Sequence, residues 1–241
     1  MPKPTPPTAS ASEVLALLEA ESDERGVRHW EKLGIETAGM RSYGIGLTRL
    51  RELAKRIGRN RDLAIALWKT DVYDAKVISL QIDDPALITR EQAERQVDQL
   101  AGGMLAHVFA SCDATLAKTS FVVELAGLWI RSADPIRRAC GYGLLYEASK
   151  FSGKKAPNEE FFLAQIKHME EKIHGEPENV RLAMGAALMG MGKRSATLNK
   201  AALKLALEVG PIEFSSASGK CEPFDVAKHL TTDRLKEKLG L

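Results

Sequence analysis

The sequence predicts an all-α protein, a HEAT-like repeat α-solenoid whose antiparallel helix pairs stack as a curved, right-handed superhelix. Helical periodicity runs from about residue 10 to residue 209, and no stretch shows the period-two alternation of a strand. A short pattern also recurs, in which a turn signal is followed by one or two basic residues and then by small or apolar ones. It appears fully at Asp134-Pro135-Ile136-Arg137-Arg138-Ala139-Cys140-Gly141, and more weakly at Asp74-Ala75-Lys76-Val77-Ile78 and Asn179-Val180-Arg181-Leu182-Ala183-Met184. With a further helix near residue 107, these segments recur at about thirty to forty-four residues, the period of paired-helix arrays. A compact all-α bundle is the structural alternative.

Taken in order, the chain begins Met-Pro-Lys-Pro-Thr-Pro-Pro-Thr, and residues 1–9 read as a disordered leader without the apolar stretch of a signal peptide. Ser10 with Glu13 three residues on forms a capping box for the first helix. A second helix is expected from about Ser22 to Leu33, stopped by Gly34. Gly39, Gly44 and Gly46 mark a loop that leads into a helix over Leu47–Ile57. Its apolar stripe is Leu47, Leu50, Leu53, Ala54 and Ile57. Arg49, Arg51, Lys55 and Arg56 cover the rest of that helix, with Arg59 and Arg61 just beyond. Further helices are expected near 61–70, 72–82, 89–100, 103–116, 119–131, 134–151, 158–174, 178–191 and 195–209. Asp134 and Pro135 fit the N-cap and first helical position of the helix at 134. The Ser- and Gly-rich stretch Ile212–Glu222 reads as a loop, followed by short helices near 224–230 and 231–239. The expected organisation is a repeat domain over 10–209, with residues 210–241 packed on it or trailing.

The 241 residues carry a net charge of only +2, so an anionic partner must be held by a local basic face. Cys112, Cys140 and Cys221 form no close pair and no metal-ligand spacing. With two of them in apolar helical stretches, they are expected as reduced thiols in a cytoplasmic protein. The five histidines show no ligand spacing either, so no metal is expected. No apolar run reaches the length of about eighteen residues that a membrane span needs. Trp68 and Trp129 are expected as core anchors, and His107 as a partly buried polar residue. Gly102-Gly103 is expected to open a turn or permit close packing.

Three segments together resemble the AlkD-like DNA alkylation repair family, DNA glycosylases built from HEAT-like repeats. The first runs from Tyr43 through Gly58, continues at Asp62-Leu-Ala-Ile-Ala-Leu-Trp68 and ends at Asp83-Asp84-Pro85. The second runs from Lys118-Thr119 through Trp129 to Ile136-Arg-Arg-Ala139, and the third from Asn179 through Met191-Gly-Lys-Arg194 to Leu198-Asn-Lys-Ala201. The resemblance implies hydrolysis of the bond between an alkylated purine and deoxyribose. That chemistry needs a carboxylate to stabilise the cationic sugar, a positioned water, and aromatic faces that tolerate positive charge.

The family's working set is a Trp followed four residues later by an Asp, an Arg in the Arg-Arg segment, and a second Trp before the Gly-Lys-Arg ending. In this sequence the first Trp becomes Gly102 or Gly103, the Asp becomes Ala106 or His107, and the second Trp becomes Ala186. Arg137 and Arg138 remain. Asp113, expected on the same helix as His107, is the candidate stand-in carboxylate, with Glu124 the other near it in sequence. The resulting expectation is a DNA-binding protein that reads the backbone and shape of damaged or distorted duplex with a basic concave face, its glycosylase activity reduced or lost. The residues expected to touch DNA are Lys76, Arg137, Arg138, Arg181, Lys193 and Arg194, without a small-molecule cofactor or a membrane. Two rival readings are an active glycosylase with a rearranged carboxylate and a protein-binding HEAT scaffold.

Overall fold

The computed structural model describes residues 10–153, 156–216 and 219–241, so the expected leader over 1–9 lies outside the described residues. Among them fourteen α-helices follow one another, and strand is confined to one antiparallel pair of two-residue segments. The chain divides into two compact units, the first ending at Ser120 and the second beginning at Phe121.

The first unit contains α1 (Ala11–Ala20), α2 (Glu24–Lys32), α3 (Leu47–Ile57), α4 (Arg61–Trp68), α5 (Tyr73–Ile82), α6 (Arg90–Val97) and α7 (Gly103–Ala110). The capping box forms as expected: the Glu13 amide donates to Ser10 Oγ at 3.3 Å, and the Ser10 amide donates to the Glu13 carboxylate at 2.6 Å. Helix α2 starts later than Ser22 because Asp23 is its cap, accepting from the Arg25 amide at 2.9 Å. Helix α5 lies at the centre of the unit, packed against α3, α4 and α7. Its first turn holds Asp74, which is fully buried and does not stand outside the helix as a turn signal would. The carboxylate accepts from Ser42 Oγ at 2.8 Å, the Tyr43 amide at 2.8 Å and the Ile45 amide at 3.1 Å. One side chain thus fastens the glycine-rich loop to the central helix. Trp68 is buried, as expected of a core anchor.

The second unit contains α8 (Val122–Trp129), α9 (Pro135–Ala148), α10 (Glu159–Lys172), α11 (Glu178–Gly192), α12 (Ala196–Val209), α13 (Val226–Leu230) and α14 (Asp233–Leu239). Helix α9 starts as its sequence predicts, with Pro135 at the first position and Asp134 Oδ1 accepting from the Ile136 amide at 2.9 Å. Helix α11 starts at Glu178 after Pro177, so Asn179 lies inside the first turn and is not its cap. Helices α9 and α11 pack along each other, α8 lies on α9, and α12 covers α10 and α11. Small residues allow the close approach. A Cβ on Gly141 would come within 2.6 Å of the Ile130 backbone nitrogen, so only glycine lets α9 meet the end of α8 there. Trp129 is buried beside this contact.

The described residues after 209 are held by backbone and side chain alike. Ile212 and Phe224 exchange amide–carbonyl bonds of 3.0 and 2.9 Å, and Ser215–Ser216 pairs with Gly219–Lys220 between them. The expected loop therefore contains a minimal hairpin, too short for alternation to reveal. Asn199 Nδ2 donates to Gly192 O at 3.1 Å and to Leu230 O at 3.2 Å, joining α11, α12 and α13.

Replacing Asp74 with Ala leaves a hydroxyl and two amides at this joint without their acceptor. Asp74→Ala is expected to lower the unfolding free energy by about 2–4 kcal/mol, measured by urea denaturation. A loss under about 0.5 kcal/mol would contradict the role given to this carboxylate.

Candidate nucleic-acid interface

The two adjacent arginines at the start of α9 differ in their surroundings. Arg138 Nη1 donates to Ser132 O at 2.9 Å and Ala133 O at 2.7 Å. Its Nε and Nη2 donate to Glu176 Oε2 at 3.0 and 2.7 Å. The two side chains are only 18% and 11% exposed, so this is a largely desolvated pair. Arg138 therefore clamps the turn before α9 to the turn before α11. Arg137 is half-buried beside it.

Arg181 occupies the fourth position of α11, as Arg138 does in α9. Among the described residues it has no hydrogen-bond or ion-pair partner, and its Nε is buried and unsatisfied. Lys193 follows the C-terminus of the same helix, and burial together with the nearby Lys238 ammonium lowers its pKa. Lys238 on α14 was not singled out in the sequence; it donates to Lys193 O at 3.4 Å. Its place beside Lys193 is set by where α14 lies against the end of α11, a tertiary contact that its local sequence does not encode. Arg194 is used inside the fold: it donates to Ser149 O and to Phe151 O (3.0 Å), and its guanidinium lies 4.6 Å from the Phe162 ring centroid. These bonds satisfy carbonyls at the C-terminus of α9, where the dipole also favours a cation.

In the first unit most of the arginine cluster is paired internally. Arg49 meets Glu21 at 2.5 Å and Glu52 at 3.0 Å, and Arg59 meets Asp84 at 3.6 Å. Arg61 bonds the buried Asp83 at 2.9 Å and Gln92 at 2.7 Å. Arg51 approaches Asp113 at 3.6 Å, so the stand-in carboxylate already has a cationic neighbour. Lys55 and Arg56 complete the stripe, exposed and half-buried respectively. Lys76 donates its ammonium to Trp68 O and lies 4.6 Å from the Trp68 ring centroid. Burial lowers its pKa, while Asp71 acts in the opposite sense.

The residues that the resemblance sets against the family's catalytic positions carry neither a carboxylate nor an indole. Gly102 and Gly103 open α7 with φ of 92° and 63°. Ala106 is buried, and Ala186 lies half-buried on α11. His107 is exposed, not partly buried. Helix α7 stops at Ala110, so Cys112 and Asp113 lie in a turn beyond it with φ of 56° and 67°, correcting the expected continuous helix. The turn brings Cys112 Sγ to 3.4 Å from His107 Nε2, and Ser111 Oγ donates to His107 O at 2.5 Å. Burial raises the Cys112 pKa, but the bonds from His107 and Ser111 and the charge of Arg51 outweigh it and lower the thiol overall. Cys140 is buried in α9, and desolvation pushes it up to about 12. Cys112 and Cys221 are both half-exposed. No group of three or more His, Cys, Asp or Glu able to hold a metal occurs among the described residues.

The thiolate, not the thiol, attacks an alkylating reagent. Cys112 is therefore expected to react with iodoacetamide at neutral pH well ahead of Cys140. His107→Gln should move its pH–rate midpoint upward, because the imidazole no longer stabilises the thiolate. Mass-spectrometric mapping of the alkylated cysteines would check this, and an unchanged midpoint would contradict the pairing.

The fold is similar to a solved structure described as a new family of proteins related to the HEAT-like repeat DNA glycosylases with affinity for branched DNA structures. The match has a TM-score of 0.81 at 24% identity and covers 97% of each chain. The chain thus has the HEAT-like repeat fold. A search of curated proteins returns no match. Residues 14–209 match the family model described as DNA alkylation repair enzyme, and over that span the chain belongs to this family.

Proposed function

We propose that the chain is a DNA-binding member of its family that grips the phosphate backbone with α9 and α11, its base-excision activity reduced or lost. The observation that carries this reading is Arg181, a half-buried guanidinium with an unsatisfied Nε and no partner among the described residues. Such a group is costly in the free protein and complements an arriving phosphate, which accepts two or more charge-assisted bonds. Arg137 and the Lys193–Lys238 pair add positive charge on or beside these helices. Arg138 acts through position, holding the starts of the two helices together. The affinity of the structural relative for branched DNA supports a preference for distorted over regular duplex. Reduced excision is inferred from the resemblance, which sets Ala106 or His107 where the family has its Asp, and from the pairing of Asp113 with Arg51.

Arg181→Ala is expected to weaken binding to linear and four-way-junction DNA while leaving thermal stability near that of the parent. Fluorescence anisotropy at several salt concentrations should show the log K against log salt slope flattened by about 1. Arg138→Ala should lower stability by about 3 kcal/mol or more, because it strands a desolvated Glu176. Unchanged affinity and slope in Arg181→Ala would overturn the assignment. In a single-turnover assay with excess protein, release of 3-methyladenine and 7-methylguanine is expected to be little above the spontaneous rate or equal to it. Release far above that rate would restore the enzyme reading.

A further inference from the structure

A cleft of about 270 Å³ lies wholly within the first unit, between the loop after α2, the end of α4 and the start of α7. Trp68, Lys76, Gln99, Gly102, Leu105 and Met40 line it. Its volume is near the lower end of small-ligand sites, about 300 Å³, the scale of one nucleotide and too small for a peptide segment.

The polar groups facing this space are mainly donors. Lys76 uses one ammonium proton on Trp68 O, which leaves two of its three for a ligand. Gln99 accepts from the Trp68 indole nitrogen through Oε1 at 2.7 Å, so its amide nitrogen is the end left to donate. Gly102 is the N-cap of α7, which has no side-chain cap and no acidic residue in its first turn. The positive end of that helix is therefore uncompensated at the mouth of the cleft. An ammonium, an amide and a helix N-terminus converging on one space suit an anion. Met40, Leu105 and the indole edge of Trp68 supply an apolar wall beside it; the indole face itself is occupied by Lys76. Asp71 stands at the rim, 72% exposed and 3.5 Å from Arg41, where it can accept from an exocyclic amino group.

We infer that this cleft binds one unpaired nucleotide. The phosphate lies on Lys76 and the α7 N-terminus, the ring lies against Met40, Leu105 and the Trp68 edge, and the base amino group meets Asp71. A base inside a regular duplex cannot enter such a cleft, so in DNA the ligand is a bulged or branch-point nucleotide. That DNA source rests on the reading of the chain as a DNA-binding protein, whereas the nucleotide chemistry does not. The Asp71 rim further distinguishes bases: adenine carries an amino group and thymine does not, so dAMP should bind better than dTMP.

The test uses the full chain and dAMP as the probe, with ligand-detected NMR as the readout. Binding of dAMP is expected with a dissociation constant on the order of 1 mM. Weaker signals are expected from deoxyadenosine, which lacks the phosphate, and from dTMP. Lys76→Met should weaken dAMP about tenfold, in line with the loss of one charge-assisted contact. Ala101→Trp should abolish binding by filling the cleft from an exposed position that carries little of the fold. Parallel anisotropy measurements compare a paired duplex, a duplex with one bulged adenine, and one with an abasic bulge. The bulged adenine should be preferred about tenfold over the abasic bulge, and Ala101→Trp should erase that preference without changing affinity for paired duplex. Absence of dAMP binding in the parent protein, or binding unchanged in both variants, would overturn the inference even if duplex binds normally. Cleft-dependent dAMP binding in a protein that binds no duplex would keep the nucleotide site and overturn the DNA interface.

Discussion

Arg138 and Glu176 form the contact on which the second unit depends. The guanidinium reaches back to the carbonyls of Ser132 and Ala133 and forward to the carboxylate that precedes α11. Two charges this far out of water cost several kcal/mol each to desolvate, and the cost is offset only when nearly every donor finds an acceptor. Here all three nitrogens of the guanidinium are engaged. The consequence is positional. The first turns of α9 and α11 are held at a fixed register, and the residues beside the clamp inherit that register. Arg181 repeats the place of Arg138 one helix pair later, yet among the described residues no carboxylate meets it.

That contrast separates structural cations from available ones. The net charge of +2 provides no strong overall field, so DNA affinity has to come from cations not already neutralised. Arg49, Arg59 and Arg61 have carboxylates within the first unit, and Arg194 has carbonyls and an aromatic face in the second. Among the described residues Arg181 and Lys193 have neither. Counting basic residues along the chain would have weighted the helix at 47–57 most heavily, although its internal ion pairs leave less charge for a partner.

The helices were legible because their signals are local. Ser10 with Glu13, Asp134 with Pro135, and the stripe from Leu47 to Ile57 each act within a turn or two, and each forms as read except that Leu47 is only half-buried. Signals that depended on distant partners were not legible. Asp74 looked like a helix start but is a buried acceptor for a loop about thirty residues earlier in the chain, where two of its three partners are backbone amides that leave no trace in residue identity. The pairing of Cys112 with His107 required α7 to stop at Ala110, and the left-handed turn that brings them together falls on residues that are not glycine. In the same way the division of labour between Arg137, Arg138 and Arg181 is invisible in their repeated pattern. It is decided by Glu176, thirty-eight residues from Arg138.

Chemical footprinting of arginines with phenylglyoxal, mapped by mass spectrometry with and without saturating four-way-junction DNA, tests most directly the claim that DNA is held by Arg181 on α11. The account predicts that Arg181 is modified in the free protein and protected in the complex, while Arg138 stays unreactive in both. Equal modification of Arg181 with and without bound DNA would contradict it.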